Sequence, residues 1–329
     1  MDFRLDNEQL ALQGAVRAFC ADRYPLDAIG SRDGMPLSST RWGELLDLGA
    51  FSLLAPVADG TGERELGFVE AALVFEQFGA CLADGPILWS TLAASVVGSV
   101  ADGSSVAGGF DAVDADGEPF IVEHAADLDV LVVLRPDGVF VIERGDLPEP
   151  EVLEPLDPLT PVARFGELPA GTQVAPADRS AAMRNEGAVL SAAMLLGISE
   201  AALRAARDYS LEREQFGQPI GSFQALKHMM ADMFVRTALA RSATYAAAAV
   251  LDDPLVGHVG RSIGAAKLLA GEAAIENARA SVQVMGGMGF TWEMVPHYLL
   301  KRAWVLEQSF GTMRDHALGI SASLASEDR

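Results

Sequence analysis

The sequence predicts a mostly helical protein with a β region set between two helical regions. Three observations predict it. Apolar residues recur at near-helical spacing before residue 100, and again in long Ala-rich runs after residue 178. Between them, residues 101–178 are rich in Gly, Pro, Asp and Val, with short apolar runs that read as strands joined by turns. Half of the 329 residues are hydrophobic but only 7% are aromatic, which suits a mostly helical soluble protein. The domains expected are therefore 1–100, 101–178 and 179–329, in the order helix, sheet, helix.

Asp6 followed by Gln9 makes a capping box for a first helix carrying Leu10, Leu12, Val16 and Phe19. A second helix spans 39–48, with Gly49 as its stop, and 56–62 reads as a loop. A third spans 64–82, with Phe68, Leu73, Phe75 and Phe78 on its apolar positions. Gly85 and Pro86 break the chain, and a fourth helix runs to about residue 100. In the middle, 130–134 and 139–142 read as strands, and Asp137-Gly138 between them as a hairpin turn. The run 181–211 is almost wholly apolar, hence a buried helix. It ends in a charged knuckle, Glu212-Arg213-Glu214, and a break punctuated by Gly217, Pro219 and Gly221. Ser222 is the expected N-cap of the next helix, 223–251, and 256–285, 293–308 and 312–325 complete a bundle.

The formal charge of −22 argues against a nucleic-acid binder and makes any anion site depend on locally placed cations. Cys20 and Cys81 sit in apolar helical text, as buried free thiols of a reduced compartment would. The start is acidic and lacks a signal-peptide core. The longest apolar run, 187–199, falls short of the roughly 20 residues that span a bilayer. A cytoplasmic location without a membrane partner is expected. His228, His258, His297 and His316 read as scattered surface or interface residues. No Glu-x-x-His pair, zinc spacing or Gly-x-Ser-x-Gly elbow occurs, so no metal site is expected.

Two motifs carry chemistry. The first runs from Tyr209 through Arg213, Gln215, Phe216, Gly217, Pro219, Ile220, Phe223, Gln224 and Lys227 to Ala231-Asp232-Met233. The guanidinium of a fixed Arg stays charged and pairs with two phosphate oxygens at once. The second is Gln283-Val284-Met285-Gly286-Gly287-Met288-Gly289-Phe290-Thr291, whose glycines let backbone amides approach a phosphate or an adenine. It lacks the spacing and the preceding strand of a Rossmann fingerprint.

In this order and spacing the two motifs resemble the paired signatures of the acyl-CoA dehydrogenases. The resemblance implies a mostly α fold with a small central β-barrel, an N-terminal helical domain and a C-terminal bundle that is also the oligomer interface. It implies FAD as cofactor, an acyl-CoA substrate and an electron-transfer acceptor. By the match, Arg213, Gln215, Phe216, Gln283, Gly286, Gly287, Gly289 and Thr312 are cofactor-binding candidates, the first of them reaching a neighbour's FAD pyrophosphate. The family removes the α proton with a Glu, and the matching segment here is Ser309-Phe310-Gly311-Thr312. Phe310 stands at the base position and cannot take a proton. Some members place the Glu on the long buried helix instead; that position matches Gly187, one residue past Glu186, the one catalytic candidate. The barrel text is short and lacks the family's flavin-ring and thioester segments. Glu307 is expected to pair with Lys301, Arg302 or Arg314.

This balance resembles the short subunits of actinobacterial α2β2 dehydrogenases that oxidise steroid-derived CoA thioesters. The leading expectation is a subunit that shares FAD with a larger dehydrogenase subunit. The alternatives are a self-sufficient homo-oligomer using Glu186 and a cofactor-free structural subunit.

Overall fold

The computed structural model describes residues 4–55, 64, 66–113 and 119–327. In chain order it forms α1 (Asn7–Arg23), α2 (Ser39–Asp47), α3 (Phe68–Ala80), α4 (Ile87–Ala93) and α5 (Gly98–Ala101). Strands β1 (Ala107–Asp111), β2 (Phe120–Glu123), β3 (Val130–Arg135), β4 (Gly138–Glu143), β5 (Glu151–Leu153), β6 (Val162–Phe165) and β7 (Thr172–Pro176) follow. Then come α6 (Ala177–Glu212), the short β8 (Glu214–Gln215) and β9 (Gln218–Pro219), α7 (Gln224–Asp252), α8 (Val259–Met285), α9 (Pro296–Gln308) and α10 (Met313–Glu327). The loop expected at 56–62 lies outside the described residues.

Local chemistry sets the boundaries. The Asp6 carboxylate accepts from the Glu8 and Gln9 amides, and the Gln9 side chain returns to the Asp6 amide, closing the expected capping box. The helix expected up to residue 100 is two, because Val97 takes an extended conformation between α4 and α5. Ser222 is not the N-cap of α7. Its hydroxyl donates to Pro219 O at 2.7 Å, and Phe223 holds the cap position without a side-chain bond. The β3–β4 turn is Pro136-Asp137, one residue earlier than expected, since Arg135 pairs with Gly138.

Packing gathers the chain into two compact units that cut across sequence order. One comprises 33–71 and 84–188. Its strands form a sheet of order β1-β3-β4-β7 and another of order β2-β6-β5, with β1 and β3 parallel and the remaining neighbours antiparallel. Val122, Ala163 and Phe165 of one sheet share a core with Leu131, Val133 and Ile142 of the other. The sheets thus bury apolar faces against each other, and the described hydrogen bonding closes no barrel.

The other unit comprises 1–32, 72–83 and 189–329. Its α6 contains a stretch long and apolar enough to cross a bilayer, longer than the run read from sequence, but 78% of that stretch is buried, as in a core helix. Here α3 and α6 approach until their backbones touch. A Cβ on Gly79 would lie 2.0 Å from Met194 O, and one on Gly197 would lie 2.0 Å from Glu76 O. Glu76 is buried and meets Arg241 of α7 at 2.9 Å, which also pairs with Glu200; the Tyr245 hydroxyl donates to the same carboxylate. Burial, and then Glu76, push the Tyr245 phenol far above its usual range. A neutral knot ties α6, α7 and α8: Asn277 Nδ2 donates to Ser199 Oγ at 2.8 Å and to Thr237 Oγ1 and Met233 O at 3.0 Å. Cys20 and Cys81 are buried and free, as expected, and the contact with Cys81, with burial, holds the Cys20 thiol well above its usual range.

Lys267 of α8 is fully buried, and its ammonium donates to Ser309 O at 2.7 Å and to Leu306 O and Glu307 O at 3.2 Å. All three carbonyls lie where α9 ends, Leu306 O also accepting from the Ser309 amide, so the protonated amine sits at the negative pole of that helix. Glu307 therefore does not form the side-chain pairs expected of it. Its carboxylate accepts from the Met313 amide at 2.6 Å and from the Gln308 side chain. His297 is buried rather than a surface residue.

Two predictions arise from this packing. Gly197→Ala forces a methyl into the Glu76 backbone and should cost about 2–3 kcal/mol, read as a lower urea midpoint at unchanged slope. Burial lowers the Lys267 ammonium from 10.5 to about 7, against the opposing pull of Glu307. Between those values the unfolded chain holds a proton the folded one has released, so stability rises with pH from about 7 towards 10.5. Urea midpoints measured across that window should climb in the wild type and climb less in Lys267→Met.

Candidate functional site

Where α6 ends, the chain turns back on itself. The Arg213 amide still bonds Tyr209 O at 2.9 Å, and Arg213 O accepts from the Ile220 amide at 2.8 Å, which closes a small hairpin of β8 and β9. At its tip Phe216 (φ +55°) and Gly217 (φ +78°) are both left-handed, as a type I′ turn requires. The turn drives the Phe216 side chain outward: it is 91% exposed, with only an edge-to-face contact to Phe223. Arg213 is exposed, and among the described residues its guanidinium has no hydrogen bond or ion pair. Gln215 is also exposed and bonds only the neighbouring Glu214 carbonyl.

The second motif ends α8. Gly286 takes φ +61°, and a 3₁₀ turn covers Gly286–Phe290. A Cβ on Gly286 or Gly287 would meet nothing within 4 Å, so their bare backbone is open to an incoming group. Gly289 differs: its Cβ would lie 2.8 Å from Val282 O, so the chain's own packing accounts for this glycine. Gln283 is exposed and lines a cleft of roughly 350 Å³ with Met229, Asp232, Arg236 and Arg279. The two motifs meet in space. Tyr209 and Ile220 from the first pack with Val284 from the second around Ala206 and Met233. An unpaired guanidinium, an exposed flat ring and two unobstructed glycine backbones suit the phosphates and flat surfaces of a dinucleotide.

Thr312 lies apart from this pair. Its hydroxyl oxygen accepts from the Asp315 amide at 3.2 Å, which caps α10, while its hydroxyl and amide both donate to Asp315 Oδ2, at 2.7 and 2.9 Å, and hold the Asp315 carboxyl below its usual range. The segment is anchored by Lys267, sixteen residues before Gln283 on α8, a separation of roughly 24 Å at about 1.5 Å per residue. Phe310 is buried at φ +56°, and Phe310 O lies 3.0 Å from His316 Nε2.

Glu186 lies in the sheet-containing unit, two helical turns from Arg179 on α6. Arg179 clasps it with both arms, Nη1 to Oε1 at 2.7 Å and Nη2 to Oε2 at 2.9 Å, and also donates to Ser95 Oγ at 2.6 Å. The guanidinium competes for the lone pairs a base would use. A larger cleft in the same unit, about 800 Å³, is walled by Val96, Val97, Val141, Ile142 and Val174, and no residue proposed from the sequence lines it. Among the described residues no group of His, Cys, Asp and Glu could hold a metal ion.

Sequence reasoning missed Arg179, Lys267 and Asp315. Arg179 stands seven residues before Glu186, a same-face spacing that was legible. Lys267 stands in the apolar run Gly264 to Ala270 with no acid beside it, the signal of a cation that is buried rather than solvated.

Comparison with known proteins places this geometry. The acyl-CoA dehydrogenase C-terminal domain matches residues 180–323. Acyl-CoA dehydrogenase IpdE2 of Mycobacterium tuberculosis is 32% identical over 271 residues, covering 78% of this chain and 77% of that protein. The ChsE4–ChsE5 complex of the same organism superposes with a TM-score of 0.79 at 23% identity, over 99% of both chains. The Tcur3481–Tcur3483 steroid ACAD gives 0.82 at 21% identity, over 98% of both. With both family motifs joined on one apolar cluster and a relative matched along most of its length, the chain belongs to the acyl-CoA dehydrogenase family.

Proposed function

We propose that this chain is one subunit of a heteromeric acyl-CoA dehydrogenase, paired with a larger dehydrogenase subunit and holding part of an FAD shared across their interface. The observation that carries this reading is the outward hairpin. Arg213 and Phe216 point away from their own chain, so a ligand they hold needs a second surface to enclose it. FAD, when bound, accepts the hydride lost from the acyl-CoA β carbon. Arg213 would take two phosphate oxygens, Phe216 would cover an apolar face, and Gly286 and Gly287 would admit close backbone approach. Gln283 would complete the set, Gln215 would flank the phosphates, and Gly289 would shape the turn; Thr312, which lies apart from them, would contact FAD at the separate turn it caps.

Neither position at which the family carries its base offers a free acceptor for the α proton here. Phe310 occupies the family's base position, and Glu186 is clasped by Arg179. The partner would supply both the base and the thioester groove. Likeness to the steroid ACAD and to a two-protein complex supports a steroid-derived acyl-CoA and a heteromer. We place the assembly in the cytoplasm, reoxidised by an electron-transfer acceptor.

The purified chain alone should be colourless, and co-expression with the larger subunit should bring a flavin absorption spectrum and turnover. A chain that is yellow and active by itself would sink the proposal. In the complex, Arg213→Ala should weaken FAD binding by about 10–100-fold, the loss expected for charge-assisted bonds, read by fluorescence titration. Glu186→Gln should leave kcat within about twofold of wild type; abolished turnover with full flavin content would make Glu186 the base.

A further inference from the structure

We propose that Lys267 is a positioning residue that shapes the turn Ser309–Thr312 for the dinucleotide, an inference that rests on the function proposed above. The turn is held from every side. Lys267 gathers three carbonyls from its N-terminal end, including Ser309 O. Glu307 takes the Met313 amide, Asp315 takes the Thr312 amide and hydroxyl, and the His316 ring meets Phe310 O. Two successive residues, Phe310 and Gly311, are left-handed at φ +56° and +91°. A non-glycine residue holds that conformation only where its surroundings impose it.

The result is a backbone whose groups are nearly all spoken for, with one exception. Among the described residues, the Gly311 amide donates to nothing. It is a half-buried donor left open between two anchored neighbours. A chain that only needed to end α9 would cap those carbonyls with water or a surface side chain. Burying a Lys whole and closing it with main-chain oxygens alone gives a rigid turn instead. When protonated, Lys267 has three hydrogens for these three acceptors, so its direction is fixed. Lys267 itself stays inside the protein and acts only through the turn.

The test separates positioning from general stability. Amide hydrogen exchange on the chain alone should show residues 309–313 of Lys267→Met exchanging about tenfold faster, with α6 amides unchanged. FAD affinity of the complex carrying this variant should fall about tenfold as well. Lys267→Gln keeps two N–H donors without the charge and should fall between Met and wild type; it carries the test if the Met variant does not fold. Unchanged exchange in the turn overturns the proposal. So does faster exchange spread evenly through the bundle, or a loosened turn with undiminished FAD affinity, since either leaves Lys267 a stabilising residue only. A wild-type complex that takes up no flavin overturns the underlying reading; the exchange result then shows separately whether Lys267 holds the turn.

Discussion

The helical unit depends on a contact at which two helices cannot carry side chains. At Gly79 and Gly197 the backbones of α3 and α6 meet, each Cβ position falling 2.0 Å from a carbonyl oxygen of the other helix. This closeness has consequences along α3. Glu76 lies nearly one turn before Gly79, so the contact takes its carboxylate out of water. An unpaired buried carboxylate would cost several kcal/mol, and Arg241 and Tyr245 of α7 supply the charge and the proton donor that offset it. The end of α3 is buried too, and two arginines take its carbonyls: Arg32 bonds Leu82 O at 2.8 Å and Arg302 bonds Ala83 O at 3.1 Å. A steric requirement at two glycines thus dictates the polar chemistry of α1's neighbourhood, α7 and α9.

Elements governed by local chemistry were legible in the sequence. The α1 capping box, the long buried α6 and the break that follows it are each decided by residues within a turn or two, so pattern and turn chemistry find them; that the break is a hairpin came from the structure. The break between α4 and α5 and the cap of α7 hang on single backbone dihedrals, which periodicity does not report. Whether the strands close is decided by which edges meet, and that depends on packing of the two faces around Phe165 and Leu131 rather than on any one strand. The polar interior was the least legible part. The partners of Asn277 and Lys267 could not be read from the sequence, because Ser199 and Ser309 are 78 and 42 residues away.

The candidate site divides in the same way. Arg213, Gln215 and Phe216 became candidates through the family resemblance, and Gly217, Pro219 and Gly221 account for the break in which they stand. Gly286 and Gly287 were readable as a helix stop, and the open space at both is what separates them from Gly289, which serves packing. Glu186 shows the opposite limit. A carboxylate near an expected position says nothing of what else reaches it, and Arg179 reaches both its oxygens.

Phe216 makes the strongest physical case that this surface is unfinished in the single chain. Its backbone is left-handed, a region that aromatic residues rarely adopt, and its ring is almost wholly in water. Turn chemistry alone would favour Asn or Gly at that position, and core packing would favour no exposure at all. Neither local nor internal forces account for a ring held out on a rigid hairpin. An external surface that covered it would, and three residues before it stands Arg213, a cation without an acid partner among the described residues, in a chain with 46 acidic residues against 24 basic ones. An apolar face and a positive charge carried on one hairpin would suit a counterpart that is both flat and anionic, as a dinucleotide closed in by a second subunit, the reading proposed above, would be.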